Sequence, residues 1–343
     1  MIPLNIIPTG WFHIGWTDEL PPGGVKPLNY FGQELVAFRS ETGELSIMDA
    51  FCPHLGAHLG YGGKVKDDCI VCPYHGWEWN TKGQNTVVPY QDQPVKKAIR
   101  TWHTIERHGM MFIWYDPEHN APKWELLDPF KCFPGGEVSP DDYYPCYPHA
   151  TFERPNEPFP AQYMMENAAD SAHFQFTHGA PMSPKLTYFS VDEGHWIGTI
   201  SFKSPKTDAY ALSVTTVKPN IGLAFAHFNG KPPLQYRLAL TATPIDAFTC
   251  DVRLSYFLQR DPKSPDVMPD HVLKFAETTE ELYEEDARMW RRQKFMQKPI
   301  FAAQDVEGYS AYRKWCERFY EGHAKNPSTR GLEAYVDGKG PQD

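Results

Sequence analysis

The most informative part of the chain is a pair of short stretches, Cys52-Pro-His54-Leu-Gly56 and Cys72-Pro-Tyr-His75-Gly76-Trp77. Seventeen residues separate His54 from Cys72, so each cysteine–histidine pair occupies a loop of its own. Two thiolates can hold one iron of a [2Fe-2S] cluster and two neutral imidazoles the other, which raises the potential above that of an all-cysteine cluster. Proline and glycine beside the ligands allow tight loops with backbone N–H groups free to face the cluster sulfurs. The sequence therefore predicts a cluster held by Cys52, His54, Cys72 and His75.

The spacing Cys-x-His-x17-Cys-x2-His resembles the Rieske pattern. The alternative is a zinc site that uses Cys69. It is disfavoured because Cys69 lies in a strand-like Cys-Ile-Val run, and the motif is already complete from Cys72. Rieske proteins of respiratory complexes carry an additional disulfide between the two loops, whereas Ala57 and Tyr74 occupy the matching positions here. The likeness is therefore to the oxygenase and ferredoxin branch.

Composition bounds the class of protein. A chain of 343 residues is long enough for two domains with their own cores, and 32 Pro, 25 Gly and 14% aromatic residues favour a β-rich fold. A net charge of -10 argues against nucleic acid or an anionic membrane as the main partner. Seven scattered cysteines, without a long apolar run or a signal peptide, fit a reducing compartment, and we expect a cytoplasmic protein.

Short runs of alternating apolar residues predict strands in both halves of the chain. The predicted strands are 31–38, 45–48, 195–202, 209–217, 234–242 and 250–258. A segment rich in Pro, Gly, Asp and Tyr, from Pro117 to Pro160, is expected to connect the halves. His195 and His227 fall among the later strands, and we interpret both as ordinary core or surface histidines.

A second cluster of metal-type residues is Glu166-Asn167-Ala-Ala-Asp170-Ser-Ala-His173-Phe-Gln-Phe-Thr-His178. On one continuous helix Glu166, Asp170 and His173 would share a face, whereas His178 would lie about 140° away, so the helix must bulge or end before it. Taken alone, the pair is equally consistent with two unrelated polar or capping histidines. Together with a carboxylate it would suit a mononuclear non-heme iron, which uses two histidines and one acid.

The third ligand is expected on a helix predicted from Asp270 to Lys298. Its apolar positions recur three and four residues apart at Leu273, Leu282, Tyr283, Met289 and Trp290. Asp286 lies on that stripe, where an unpaired carboxylate would be costly unless a metal or a cation compensates it. Asp305 is the alternative and is interpreted as an N-terminal acid of the following helix. The predicted metal ligands are therefore His173, His178 and Asp286.

The order of these motifs resembles the terminal oxygenase component of Rieske non-heme iron oxygenases, over nearly the whole chain. Within that family the likeness is to 3-ketosteroid 9α-hydroxylase oxygenases and cholesterol 7-desaturases. It is carried by residues 60–65, 88–90, 167–174, 193–195, 285–290 and 315–320. Phe174-Gln-Phe-Thr-His178 departs from the usual sequence of the steroid enzymes, which leaves the substrate open.

The resemblance implies an α+β chain. Residues 1–130 would form an all-β Rieske [2Fe-2S] domain, and residues 131–343 a helix-grip (START-like) catalytic domain with an antiparallel sheet around a long helix. It also implies a homotrimer in which Asp170 bridges an iron ligand and a cluster histidine of the neighbouring subunit. Asn167 and Glu166 are candidates for the surroundings of the iron.

The implied activity is O2-dependent mono-oxygenation of a hydrophobic substrate, with a steroid as one candidate, giving hydroxylation, dealkylation or desaturation. Electrons would come from NAD(P)H through a separate flavin-containing reductase, with or without a ferredoxin. The cofactors would be the [2Fe-2S] cluster and a mononuclear Fe(II). No nucleic acid or membrane partner is expected.

Three alternatives stay open from the sequence. The chain could be an O- or N-demethylase or a ring dioxygenase acting on a small aromatic. It could be a Rieske electron-transfer protein without oxygenase activity. It could also be a ligand-binding helix-grip protein whose iron site has decayed.

Overall fold

The structure is a computed structural model that describes residues 5–181, 184–192, 194–204, 206, 210–230 and 235–320. Glu193, which contributed to the resemblance, lies outside these residues, as do the first residues of two predicted strands, Ala209 and Leu234. Within the described part, no helix is long and apolar enough to cross a membrane.

The N-terminal part consists of short strands in three small antiparallel sheets. The strands are β1 (Gly10–Trp16), β2 (Val25–Tyr30), β3 (Gln33–Arg39), β4 (Leu45–Asp49), β5 (Lys64–Lys66), β6 (Cys69–Val71), β7 (Glu78–Asn80), β8 (Asn85–Val87), β9 (Thr104–Arg107) and β10 (Met110–Tyr115). The sheet orders are β1-β10-β9, β2-β3-β4 and β5-β6-β7-β8. One predicted ligand loop follows β4, and the other joins β6 to β7, with Cys69 inside β6 as the sequence suggested.

The C-terminal part is one antiparallel sheet with a long helix against it. Its strands are β11 (Thr151–Glu157), β12 (Lys185–Asp192), β13 (His195–Lys203), β14 (Tyr210–Asn220), β15 (Leu223–Asn229), β16 (Gln235–Pro244) and β17 (Cys250–Leu258), in the order β11-β17-β16-β15-β14-β13-β12. The helices are α1 (Ala161–Glu166), α2 (His173–Phe176), α3 (Asp270–Trp290) and α4 (Val306–Glu317). This confirms the predicted α+β class. The predicted domain boundary between residues 130 and 131 falls in the connector after β10 and stays a prediction.

Helix α3 packs on the sheet through a narrower face than the sequence suggested. Tyr283, Ala287 and Trp290 are buried, at i, i+4 and i+7, and Tyr283 packs edge-on against Phe152 of β11 with ring centroids 5.0 Å apart. The predicted stripe was wrong for Leu282 and Met289, which are 42% and 59% exposed. Met289 lies one residue away from the buried Trp290 and is rotated about 100° out of the interface. Leu282, although partly exposed, still lines an internal cavity together with Asp286, four residues further along the helix.

The helix also ends at Trp290, not at Lys298. Beyond it, Phe295 leaves the helical path and stacks on Tyr163 of α1, with centroids 6.1 Å apart and planes 12° from parallel. The chain therefore turns after Trp290 and packs Phe295 against α1.

The helix expected to carry Glu166, Asp170 and His173 on one face is interrupted. Helix α1 ends at Glu166, α2 starts at His173, and the turn between them buries Ala168 and Ala169. Asp170 Oδ1, in the segment before α2, accepts a hydrogen bond from the backbone N–H of His173 at 3.2 Å. As predicted, helical structure ends before His178, since α2 stops at Phe176.

A buried asparagine on β14 joins the two parts of the chain. Asn220 Oδ1 accepts the N–H of Trp11 at 3.1 Å, and its Nδ2 donates to the Trp11 carbonyl at 3.1 Å and to the Ile221 carbonyl at 2.9 Å. Gly10 allows this approach, because a Cβ there would lie 2.4 Å from Asn220 Cγ. One side chain therefore satisfies the backbone of β1 where it crosses the second sheet.

We expect Asn220→Ala to lower the free energy of unfolding by about 1–3 kcal/mol, because the buried Trp11 N–H and carbonyl lose their partner. The measurement is urea unfolding followed by tryptophan fluorescence. Asn229→Ala, at the exposed end of β15, is the control and should leave the midpoint unchanged. Equal midpoints for the two variants would contradict this role of Asn220.

Candidate active site

The two cysteine–histidine loops have the same backbone hydrogen bonds. Cys52 N–H donates to the Ala57 carbonyl at 2.9 Å, and Cys72 N–H to the Trp77 carbonyl at 2.8 Å. In each loop a glycine N–H then donates back to the cysteine carbonyl, from Gly56 at 2.9 Å and from Gly76 at 3.0 Å. Both glycines have a left-handed φ, 76° and 74°, which explains why glycine stands there. The two loops therefore have the same backbone conformation, and their histidines lie next to each other.

The side chains of these loops fit a two-iron cluster. Cys52 and Cys72 are buried, and the His54 and His75 rings lie 4.6 Å apart between centroids. The Nδ1 atoms of both histidines are buried and have no hydrogen-bond partner among the described residues. Burial also raises the pKa of Cys52, and the neighbouring Cys72 sulfur adds to this, so the thiolates need a cation to be stable there. Two sulfurs and two unpartnered imidazole nitrogens are the donor set of a Rieske cluster.

The second predicted set of ligands also comes together. His173, His178 and Asp286 each offer one ligand atom, and these three atoms lie within 4.8 Å of one another. Among the described residues, no other three histidine, cysteine or acidic side chains come together in this way. His178 Nε2 lies 3.2 Å from Asp286 Oδ1. All three side chains are partly buried. Two imidazoles and one carboxylate at this separation fit a mononuclear iron that leaves positions open for other ligands.

Each member of the trio is held by a neighbour. Asn167 Nδ2 donates to Asp286 Oδ2 at 2.9 Å, and His178 Nδ1 lies 2.7 Å from Glu285 Oε2. An ionised carboxylate only accepts, so Nδ1 of His178 carries the hydrogen and Nε2 is left to face the centre. His173 Nδ1 faces Asp170 Oδ1 at 3.6 Å, beyond hydrogen-bond distance but within range of an ion pair.

The carboxylates around His178 also control its protonation. Burial by itself lowers the pKa of His178, but the hydrogen bonds and negative charges of Asp286 and Glu285 outweigh burial and raise it. Without a metal, the ring is therefore an imidazolium between two carboxylates over a wider pH range than a free histidine.

Asp170 and Asp305 lie together beside this trio. Burial by itself raises the pKa of Asp170, but hydrogen bonds from His173 and Tyr309 outweigh it and lower the pKa. Asp305 directly precedes α4, in keeping with its predicted place before a helix; burial and the Asp170 charge raise its pKa. Asp305 is not part of the metal-type group, so Asp286 is the carboxylate that the fold brings to both histidines.

Glu166 differs from its expected place near the iron. Its carboxylate accepts two hydrogen bonds from Arg313 of α4, each 2.9 Å long, and a third from Gln162 at 3.0 Å. The correction follows from the broken helix, because the turn after Glu166 separates it from His173. Glu166 therefore anchors α1 to α4.

A cavity of about 210 Å³ adjoins the trio. His173, His178, Asp286 and Asn167 lie in its wall, and the rest of the wall is mostly apolar. Representative apolar residues are Ile200, Phe228, Leu238, Leu240, Leu254 and Trp290. Strands β13 to β17 and helix α3 thus line a largely apolar space beside the ligand atoms.

Sequence reasoning missed three residues of this site. Glu285, Tyr309 and Lys218 are recognised only through partners distant in the sequence. Glu285 falls only at the edge of the predicted apolar stripe, with Glu280, Glu281 and Glu284 on the polar side, and this placement does not identify it as a partner of His178. The other two histidines considered, His195 and His227, are partly buried on strands and do not join the trio.

Comparisons with known proteins agree with this architecture. Residues 10–103 match the Rieske [2Fe-2S] domain, and residues 113–320 match the 3-Ketosteroid 9alpha-hydroxylase C-terminal domain. The chain is 28% identical to the cholesterol 7-desaturase of Xenopus laevis over 93% of this chain and 73% of that protein. It is 27% identical to the 3-ketosteroid-9-alpha-monooxygenase oxygenase component of Rhodococcus rhodochrous over 91% of this chain and 83% of that protein.

Among solved structures, dicamba monooxygenase bound to dicamba has the same fold, with a TM-score of 0.65 at 16% identity over 95% of this chain and all of that one. These matches confirm the predicted Rieske oxygenase class with its [2Fe-2S] cluster, mononuclear iron and electron supply from a reductase. Because the C-terminal match spans more than half of the sequence, the chain belongs to the family of the 3-ketosteroid 9alpha-hydroxylase C-terminal domain, with a Rieske domain preceding it.

Proposed function

We propose that this terminal oxygenase mono-oxygenates a hydrophobic substrate at an iron held by His173, His178 and Asp286, with a steroid as the first candidate. The observation that carries the proposal is the grouping of these three side chains in the wall of an apolar cavity. An electron-transfer protein without oxygenase activity would need neither the trio nor the cavity, and a decayed iron site would lack a ligand.

The chain's own residues prepare the site in three ways. Asn167 fixes the carboxylate of Asp286, and Glu285 fixes the tautomer of His178. The largely apolar wall offers a hydrophobic surface against which the substrate can pack. A mononuclear iron, when bound, supplies the activation of O2 that no side chain can supply.

Electron delivery is proposed to run between subunits of a homotrimer, through Asp170. Two features support this. The Asp170 side chain faces His173 yet is 30% exposed, so it can reach both an iron ligand and a neighbouring chain. The cluster loops, in turn, expose Leu55 and Tyr74 beside their histidines, at 64% each, which suits a surface that docks against another protein.

The reductase partner is proposed to contain a flavin, with or without an intervening ferredoxin. We also propose a cytoplasmic location, since none of the seven cysteines, all of which lie within the described residues, forms a disulfide, as expected in a reducing compartment. The proposed domains remain residues 1–130 for the cluster and 131–343 for the catalytic part.

The names of the two sequence relatives, a cholesterol desaturase and a ketosteroid monooxygenase, favour a steroid. A second candidate is O- or N-demethylation or ring dihydroxylation of a small aromatic. It is favoured by the size of the cavity, because about 210 Å³ is below the roughly 300–1,000 Å³ of typical ligand pockets.

The ligand assignment is tested by substituting the two candidate carboxylates. We expect Asp286→Ala to lose the mononuclear iron and all turnover, while total iron falls only from about three to about two per chain because the cluster keeps its two. Iron content and the visible spectrum of the cluster are the readouts. Asp305→Ala and Glu281→Ala, an exposed acid on the same helix, should keep all the iron. If Asp305→Ala loses iron and Asp286→Ala does not, the assignment is wrong.

For the bridging role, Asp170→Asn should retain both metal centres and lower coupled turnover by about 100-fold, since outer partners of metal ligands carry effects of that order. Product formed per NADH oxidised is measured alongside iron content. Asp305→Asn, beside it, serves as the matched control. Normal coupled turnover in Asp170→Asn would refute the bridge.

A substrate screen separates the candidate reactions. Steroids are compared with methoxy and N-methyl aromatics, using a surrogate reductase and following NADH, O2 and product mass. We expect one oxygen gained, or two hydrogens lost, in a steroid product. Turnover of the aromatic compounds alone would contradict the steroid proposal and favour the second candidate. A product that gains two oxygen atoms would indicate dihydroxylation.

A further inference from the structure

One polar residue in the cavity wall has no part in holding the iron. Lys218 lies on β14, on the same face of the strand as Thr216, and both residues line the cavity. Its side chain is buried, with only 3% of the residue exposed. Of the described residues that line the cavity, it is the only lysine or arginine. The rest of the wall is mostly apolar and includes Ala224, Leu240 and several aromatic rings.

The Lys218 ammonium contacts only neutral acceptors. Nζ donates to the Met165 carbonyl and to the Tyr312 hydroxyl at 3.3 Å, and it also lies 3.7 Å from the Met165 thioether sulfur and 5.2 Å from the centre of the Tyr312 ring. The nearest acid in the network, Glu166, is already bound by Arg313. Within the described part of the chain, no carboxylate is among the bonding partners of Lys218. Burial accordingly lowers the pKa of Lys218 to about 7.

A purely structural role explains only part of this arrangement. The Met165 carbonyl lies in the last turn of α1, where a cationic donor is favourable. That contact uses one of three N–H groups, and Tyr312 takes a second. The third meets a thioether, which is a weak acceptor. A buried amine that is not fully paired is costly, and an apolar side chain of similar length would fill the same space without that cost.

We propose, on the basis of the proposed function, that Lys218 binds an acceptor oxygen of the substrate, a ketone or a carboxylate, in this cavity. A substrate oxygen would replace the weak thioether contact with a charge-assisted hydrogen bond. In a cavity that is otherwise apolar, one polar group of this kind fixes the orientation of the ligand.

This anchor would also be linked to the iron site. Met165, whose carbonyl Lys218 binds, is two residues before Asn167, and Asn167 donates to Asp286. The amine and the iron ligand are therefore held by the same short segment of chain. Lys218 is thus a specificity-determining residue that selects which carbon of the substrate faces the metal.

The test measures binding to the iron-loaded enzyme without O2 or reductase. The probes are two matched pairs: androst-4-ene-3,17-dione with 5α-androstane, and 4-methoxybenzoate with methoxybenzene. Dissociation constants are compared for the wild type, for Lys218→Met, and for Lys185→Met, a control at an exposed position on β12. Iron content and cluster absorbance establish that each variant is folded.

We expect Lys218→Met to weaken binding of the diketone or of the carboxylate by about 10–100-fold and to change binding of the matched probe that lacks that group by less than about 2-fold. The ketone and carboxylate pairs distinguish the two oxygen chemistries. Lys218→Gln replaces Lys218→Met, with the same expectation, if the latter does not fold. Equal weakening of both members indicates a capping role only and overturns the proposal. So does a wild type that prefers neither the diketone nor the carboxylate over its matched probe.

Failure of the proposed function would look different. An enzyme that binds the probes through Lys218 but oxygenates nothing with reductase and O2 would leave this inference standing and remove the oxygenase substrate proposal.

Discussion

A carboxylate placed in the wall of an apolar cavity is the constraint around which the catalytic half is arranged. Asp286 lies on α3 between the buried residues Tyr283, Ala287 and Trp290, where an unpaired charge would destabilise the fold. The chain compensates it with Asn167 Nδ2 on one oxygen and His178 Nε2 near the other. Both partners come from one segment, so that segment must be fixed against α3 before the carboxylate can be buried.

The break between α1 and α2 provides that fixation. Asp170 holds the backbone N–H of His173 at the start of α2, while Arg313 and Lys218 hold α1 through Glu166 and the Met165 carbonyl. A single helix over residues 166–178 would have kept Glu166 on the face of His173 and turned His178 away. Because the turn interrupts the helix, both histidines instead lie close to Asp286.

Local sequence patterns predicted part of this architecture, whereas contacts between residues distant in the sequence could not be predicted in this way. The spacing of the ligands within two loops is a local property of the sequence. The motif from Cys52 to His75 therefore predicted both ligand loops and the Rieske domain that contains them. The reasoning that selected Asp286 was partly mistaken, since Leu282 and Met289 of the supposed stripe are exposed. Asp286 still lies with the histidines because the position beside Tyr283 and Ala287 faces the sheet. Glu285 and Lys218 could not be found in this way, because their partners are 107 and 53 residues distant.

The charges around the trio explain why the same residues suit a divalent cation. Asp170, Glu285 and Asp286 place three carboxylates about two imidazoles, an excess of negative charge that something must balance. In the metal-free protein the proton on His178 balances part of this negative charge. The pKa of His178 is raised above the ordinary 6.5 in the folded state, so protonation stabilises the fold. This stabilisation is complete below pH 6.5 and is lost as the pH rises through the folded-state pKa. A divalent metal ion would replace this proton, because a histidine must be deprotonated to bind a metal. Metal binding therefore strengthens over the pH range in which His178 loses its proton. Glu285 favours both states, because it accepts from His178 Nδ1 whether Nε2 carries a proton or faces a metal. The carboxylate next to Asp286 thus keeps the ring in one orientation through the exchange.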